Sequence, residues 1–338
     1  MPETRETPSC AVCAMRRSTK TLFFARDSDR LSPEPFGVVR CESCGMIFVS
    51  PRPAAGALAG YYGRGYYDKP GEDSGGAGRR LARLFMAERV AKAEAGRAPG
   101  RVLDVGCGEG TFLAAMARRG WDAWGVEVAK EGAARAAQRP GVKIFDKPLE
   151  QCGFAPKSFD LITLWHSIEH VPDPGALLRR VAELIKDDGA VFLAFPNGDS
   201  WDFRLFGPNW FHLDPPRHLH YFSPETMARL LEKCGLEAVR TSQFSLEYNP
   251  FGFAQSALNL VTSRFNYLYR KLKGTLAPDE PIAARDVVLT AIMFPVMALV
   301  SLPYVLLAAL CGASGCVDVR AVRKVLSVPD RGSKPAGR

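Results

Sequence analysis

The chain has 338 residues, 47% of them hydrophobic and 24% charged, which excludes a disordered polypeptide. That length accommodates one substantial core with an appendage, or two modest domains. The net charge of +8 (44 basic against 36 acidic side chains) suits an anionic partner such as lipid, RNA or a phosphorylated substrate, without choosing among them.

The opening residues MPETRETPSC lack an apolar signal core, so a cytoplasmic location is expected. Nine cysteines are present, and four of them form two CxxC pairs, Cys10/Cys13 and Cys41/Cys44, with 27 residues between. Each CxxC turn presents two thiolates to one ion, and two such knuckles close a tetrahedral site. Structural zinc is the expectation, because four thiolates leave no open position for catalysis. A head of 1–50 has too little core to fold unaided, and metal would supply on the order of 10 kcal/mol. Short strand-like runs, Thr21–Ala25 and Val38–Arg40, lie between the pairs, and Pro51 and Pro53 close the unit. Residues 51–98 form a Gly/Ala/Tyr-rich linker, loose at Gly71–Gly78 and ending in a helix over Arg79–Glu94.

Residues 99–245 alternate strand-like and helix-like patterns, which implies an α/β unit with a parallel sheet covered on both faces. The strands read Arg101–Val105, Ala123–Val128, Val142–Phe145, Phe159–Trp165, Ala190–Phe195 and Glu237–Thr241. Asp173 with Pro174, and Ser223 with Pro224, supply helix N-caps and first-turn prolines, and Gly189 and Gly235 mark the ends.

The run RVLDVGCGEG joins an apolar strand to glycines 106, 108 and 110 and then to a helix from Thr111 to Arg119. Glycines there let the backbone turn tightly and approach a ligand without a Cβ in the way. Glu127 ends the next strand, where an acid can accept hydrogen bonds from both hydroxyls of a ribose. A nicotinamide-type GxGxxG turn is disfavoured, since the third glycine comes one residue early.

With Asp104–Gly110 and the later segment Phe159–Pro174 (FDLITLWHSIEHVPDP), the chain resembles the class I S-adenosylmethionine (SAM)-dependent methyltransferases over about 99–245 and a terminal strand. The resemblance implies a Rossmann-like seven-stranded sheet whose last strand runs antiparallel between the fifth and sixth. It also implies that Asp104 and Gly106, with Cys107, Gly108 and Gly110 in the same turn, lie near the methionine amino group. Glu127 would meet the ribose, Asp146 to Leu149 the adenine, and His166 the methionine end. The segment FDKPLE around Asp146 departs from the family's commoner Gly-Asp/Ser form. Gly45 and Met46–Val49 make the head similar to zinc ribbons on some sugar and ribosomal RNA methyltransferases.

All five histidines (166, 170, 212, 218 and 220) fall within 55 residues, which favours a shared site because histidine titrates near neutral pH. His166-x2-Glu169-His170 also matches an H-x-x-E-H zinc-hydrolase spacing, but Val171-Pro172 breaks the helix such a motif needs. The segment Trp210–Ser223 follows the fifth strand and is placed over the carboxyl edge of the sheet. His218 or His220 is the expected base, with His170 as an alternative, and Tyr221 and Arg217 orient the acceptor.

Residues 246–315 interrupt the unit. Ala254, Leu258, Val261, Phe265, Leu268 and Leu272 share one helical face, with Arg264, Arg270, Lys271 and Lys273 off it. Val287–Val317 then contains no charge over 31 positions, and Cys316–Lys324 alternates like a strand ahead of a basic tail, 325–338. An insertion between neighbouring strands cannot cross a bilayer once, and 31 residues are too few for two full spans. The expectation is a basic amphipathic helix over 254–273 and a re-entrant or interfacial hairpin on anionic lipid; a dimer seam is the alternative.

Together these features point to a membrane-associated methyltransferase acting on a glycan or lipid-linked saccharide. A quinone acceptor, an RNA acceptor (which leaves the apolar run unexplained, so nucleic acid is disfavoured) and a catalytically silent SAM-binding module are the rivals.

Overall fold

The computed structural model describes residues 5–16, 18–27, 32, 34–62, 76–276 and 282–324. The basic tail 325–338 and the first part of the loose stretch, 71–75, lie outside them.

The head contributes three antiparallel strands, β1 (Thr19–Ala25), β2 (Phe36–Cys41) and β3 (Ile47–Val49). Helix α1 (Gly76–Glu94) leads into the central unit. There β4 (Arg101–Val105), α2 (Thr111–Ala117), β5 (Asp122–Val126), α3 (Lys130–Ala136), β6 (Val142–Phe145), β7 (Phe159–Trp165), α4 (Pro174–Leu184) and β8 (Ile185–Pro196) alternate as the punctuation requires. Asp173 Oδ1 accepts from the Ala176 amide at 2.9 Å, capping α4 behind Pro174. After α5 (Trp201–Phe206) and the short β9 (His220–Tyr221), a capping box between Ser223 and Thr226 opens α6 (Pro224–Lys233), which leads to β10 (Leu236–Ser242).

The insertion follows as α7 (Asn249–Asn259), α8 (Tyr267–Lys273) and α9 (Ala284–Leu310), and β11 (Cys316–Arg323) closes the chain. Among the described residues seven strands form one sheet in the order β10-β11-β8-β7-β4-β5-β6. β11 runs antiparallel to both neighbours, with Val191 opposite Ala321 and Leu236 opposite Arg323, while β4 to β8 are parallel. This is the Rossmann-like methyltransferase sheet, with its last strand between the fifth and sixth.

Two expectations for the insertion change. The amphipathic stripe does not form one helix, because Asn266 adopts a left-handed backbone (φ 55°) and separates α7 from α8. The Asn259 carboxamide stabilises that break: it accepts from the Asn266 amide at 2.8 Å and donates to the Asn209 carbonyl at 3.0 Å. The apolar run is a single helix rather than a hairpin. Pro295 and Pro303 both lie on its exposed side, so each ring removes one backbone bond without colliding with packed neighbours, and the helix passes through.

The head is not a separate bead. β9 pairs with β3 (His220 opposite Phe48, Tyr221 opposite Ile47), so a core segment completes the head's sheet in the order β9-β3-β2-β1. Phe48, Met46 and Cys41 share one hydrophobic cluster with Phe222, Met227 and Leu230. Phe48→Ala should therefore cost about 3–5 kcal/mol. Calorimetry should show head and core unfolding in one transition; two separated transitions would contradict the shared core.

Candidate functional site

The glycine turn leaves β4 with Gly106, Gly108 and Gly110 all at positive φ (76°, 54° and 70°). A Cβ at Gly106 would stand 2.7 Å from that of Ser167, whereas one at Gly108 would meet nothing within 4 Å, so the backbone there lies open to a ligand. Asp104, at the end of the strand, is 3% exposed and accepts from the Thr163 hydroxyl at 2.7 Å. Burial pushes its carboxyl up to about 7, against that hydrogen bond. Glu127 is also buried. It accepts from the amides of Gly108 and Ala129, both at 2.8 Å, and burial raises its pKa despite them. The Cys107 thiol packs where a Cβ on Gly125 would be and is pushed up by burial, so it is inert. Past β6, Asp146 is exposed and Leu149 is buried.

Sequence reasoning missed Arg89, on α1, because no motif links it to the turn. Its guanidinium donates to both Glu247 oxygens (2.6 and 2.5 Å) and to the Tyr248 hydroxyl, and lies 5.6 Å from the Trp165 ring. Burial opposes its charge, but Tyr248 and Glu247 outweigh it and hold it protonated. The Trp165 Nε1 and His166 Nε2 groups beside it are buried without hydrogen-bond partners among the described residues. Open backbone at Gly108, buried acids at 104 and 127 and these orphaned polar atoms fit a cationic nucleoside cofactor.

His166 follows β7 at φ 47°, stacked 4.1 Å from Tyr248 and with Nδ1 3.3 Å from Glu169 Oε1. Glu169 is fully buried, and neither oxygen has a hydrogen-bond partner by strict geometry among the described residues. Burial alone would raise its pKa, yet His166, His170 and His218 hold it down to about 2. The His170 and His218 rings lie 4.6 Å apart. Both Nδ1 atoms face backbone carbonyls, His170 toward Arg217 O (3.1 Å) and His218 toward His212 O (2.8 Å). Carbonyls only accept, so each Nδ1 carries a proton, and in the neutral form of the ring Nε2 keeps the lone pair.

Burial, with His218 alongside, lowers His170 to about 4. His212 is neutral for the same reason and takes the Cys316 S–H at 3.2 Å. Glu169, His170 and His218 bring one donor atom each within 4.8 Å of one another, a set that can act on a proton or hold a cation.

Three sequence expectations are corrected here. His220 lies on the other side of its strand from Tyr221, bonded to the Val171 carbonyl (3.1 Å) and lowered to about 3 by burial beside Arg52. It belongs to the head–core seam and not to the histidine cluster. Tyr221 is 1% exposed, burial raises its hydroxyl well above the usual range, and its ring packs beside His218 (6.4 Å) as part of the core of the head. Arg217, also 1% exposed, is held by Asp214 (2.8 Å), Asp27 (3.2 Å) and the Tyr61 carbonyl (3.0 Å); it is a strut rather than an acceptor anchor.

Apart from this cluster, the sulfurs of Cys10 and Cys44, and of Cys13 and Cys41, lie 3.5 Å apart. A tetrahedral site with Zn–S near 2.3 Å needs about 3.8 Å between sulfurs. The four cysteines can hold such an ion.

A pH dependence follows from Asp104. Its carboxylate is the counter-charge for a cationic cofactor only when ionised, and its pKa stands near 7. SAM affinity measured by calorimetry should be flat above about pH 8 and fall roughly tenfold per pH unit below 7. Asp104→Asn should remove the slope; a slope that survives would show that another group controls binding.

The chain matches the family described as "Methyltransferase domain" over residues 78–241. It is 32% identical to a ubiquinone biosynthesis O-methyltransferase of Aeromonas salmonicida over 148 residues (40% of this chain, 62% of that protein, under two thirds of its length). It is also 32% identical to the enzyme of the same name from Ralstonia nicotianae over 194 residues, covering 54% of this chain and 78% of that one. Among solved structures, a SAM-dependent methyltransferase from Thermotoga maritima aligns at TM-score 0.44 and 19% identity, over 73% of this chain and 96% of that one. By its glycine turn, its sheet order and these relatives, the chain belongs to the class I SAM-dependent methyltransferases.

Proposed function

We propose that the enzyme methylates a hydroxyl of a lipid-soluble, phenol- or quinol-like acceptor at a membrane surface, with His218 as general base. The observation that carries this reading is the setting of His218, whose Nδ1–H is tied to the His212 carbonyl and which offers one nitrogen within 4.8 Å of a Glu169 oxygen and a His170 nitrogen. Tyr248 lies against His166, Tyr62 against His170 and Tyr221 against His218, and this aromatic setting favours a planar acceptor over the saccharide that the sequence pattern suggested. Its similarity to ubiquinone biosynthesis O-methyltransferases points the same way.

SAM supplies an electrophilic methyl group on a sulfonium that leaves as a neutral thioether. Asp104 and Glu127 would hold the cofactor at the open backbone of Gly108, with Arg89 and His166 bordering its amino-acid end. Asp146 and Leu149 flank the adenine side. His218 Nε2 accepts the acceptor's hydroxyl proton as the oxygen–methyl bond forms, and Glu169 stabilises the imidazolium. His170 adds a neutral neighbour. The four cysteines hold structural zinc, which fixes the head against β9 and hence the loop carrying His218.

Incubation with methyl-labelled SAM should label catechols or hydroquinones. His218→Ala should lower kcat by about 10²–10⁴-fold with SAM affinity retained. Full turnover in that variant would exclude His218 as the base, and absence of transfer to any acceptor would favour a silent SAM-binding module. Elemental analysis should find one zinc per chain, lost in Cys41→Ser.

A further inference from the structure

We infer that α9 lies flat on an anionic lipid bilayer, parallel to its surface, and does not cross it; acceptor access from the lipid side rests on the function proposed above. Along α9 the buried positions are Asp286, Thr290, Ser301, Val305 and Ala308. Every outward residue from Val287 to Leu310 is apolar, and Ile292, Leu299 and Leu310 are 63%, 76% and 86% exposed. A surface of this kind needs a cover.

The helix is long enough to span, at about 40 Å. Its attachments prevent it from standing on end. At the first turn Asp286 accepts from the Ser263 amide (3.0 Å) and hydroxyl (2.7 Å). Midway Phe294 meets Phe251, and near the last turn Tyr304 stacks on Phe253 (4.2 Å) and donates to Asp202 (2.7 Å). The helix is therefore fixed lengthwise along the protein, and one long side faces outward.

Two further observations select the interface of an acidic bilayer. Pro295 and Pro303 lie on the outward side, and each deprives a carbonyl one turn earlier (Ala291, Leu299) of its amide partner. Deep hydrocarbon would leave those carbonyls unsatisfied, whereas water reaches them at the headgroup boundary. Cations gather at the N-terminal end of that face: Arg285 lies in the first turn of α9, and Arg264 and Arg270 lie beside Ser263, the partner of Asp286. Arg26, Arg264 and Arg270 also line a cavity of about 250 Å³ beside Ser263, and the acid in its wall, Asp27, is paired with Arg217. An apolar strip with positive charge at one end complements acidic headgroups.

Among the described residues, α7 lies between this surface and His212. A Cβ at Gly252 would stand 3.0 Å from His212 Nε2, so α7 lies directly on the cluster, while its Phe251 and Phe253 meet α9. A lipid-soluble acceptor in the adjoining leaflet has one helix thickness to pass.

The full chain should co-sediment with vesicles of equal parts phosphatidylcholine and phosphatidylglycerol, and weakly with phosphatidylcholine alone. Leu299→Glu with Leu306→Glu should weaken that binding roughly tenfold or more, leaving SAM affinity and methyl transfer to a water-soluble catechol unchanged. Single tryptophans at Ile292, Leu299 and Leu306 should be quenched equally by lipid brominated at one shallow depth. Deeper quenching at Leu299 than at the other two would mean a crossing helix and overturn the proposal. So would failure to bind acidic vesicles, or a double variant that only converts a dimer into a monomer in ultracentrifugation. Vesicle binding without methyl transfer to any phenol would instead overturn the acceptor assignment and leave the docking intact.

Discussion

The constraint on which the rest depends is the position of the last strand. β11 inserts antiparallel between β8 and β10, so a chain that has completed six parallel strands must leave the sheet edge, travel through three helices, and return beside its point of departure. The return is fixed by polar contacts: the Asn249 side chain accepts from the Cys316 amide at 2.9 Å, and Lys92 pairs with Asp318 at 2.6 Å. Because α7 begins at this junction, Tyr248 is delivered to Arg89 and His166, and Cys316 to His212. The cofactor side and the acceptor side of the site are thus joined through one strand that the chain makes last.

Within that frame, charge is handled differently on the two sides. The cofactor side keeps acids in a dry environment where their pKa values rise, Asp104 to about 7, so a cationic ligand finds carboxylates that are incompletely solvated. On the other side burial lowers His170 and His212, and backbone carbonyls fix the Nδ1 protons of His170 and His218. Glu169 is the one anion among them, held low by the imidazoles around it. A proton leaving an acceptor therefore enters a cluster with vacant nitrogen lone pairs and a carboxylate to balance the new charge.

Much of the fold was legible in the sequence, because glycines, caps and prolines punctuate each strand and helix of 99–245, and the terminal alternation identified β11. The site was legible where chemistry follows chain proximity, as in the turn 104–110 and in Glu127. It was not legible where a side chain's direction decides. His218 and His220 are two residues apart, yet one faces the cluster and the other the head, since the pairing of β9 with β3 could not be read from either segment. Arg217 resembled an anion anchor until Asp27 and Asp214 were found on it. Arg89 and Tyr248 are 159 positions apart and meet only through the fold. The break at Asn266 and the unbroken course of α9 through two prolines depend on which side each residue faces, and composition alone does not fix that.

The pairing of β9 with β3 gives the four-cysteine head a say in turnover. The loop from Trp210 to Leu219 runs between α5, which packs on the insertion, and a strand whose other partner is the head. The His218 ring is positioned by a backbone carbonyl within that same loop, so its aim is only as steady as the two ends. Any strain in the head is thus carried along β3 and β9 into the histidine loop, while the glycine turn at the far side of β4 lies outside that line of contacts.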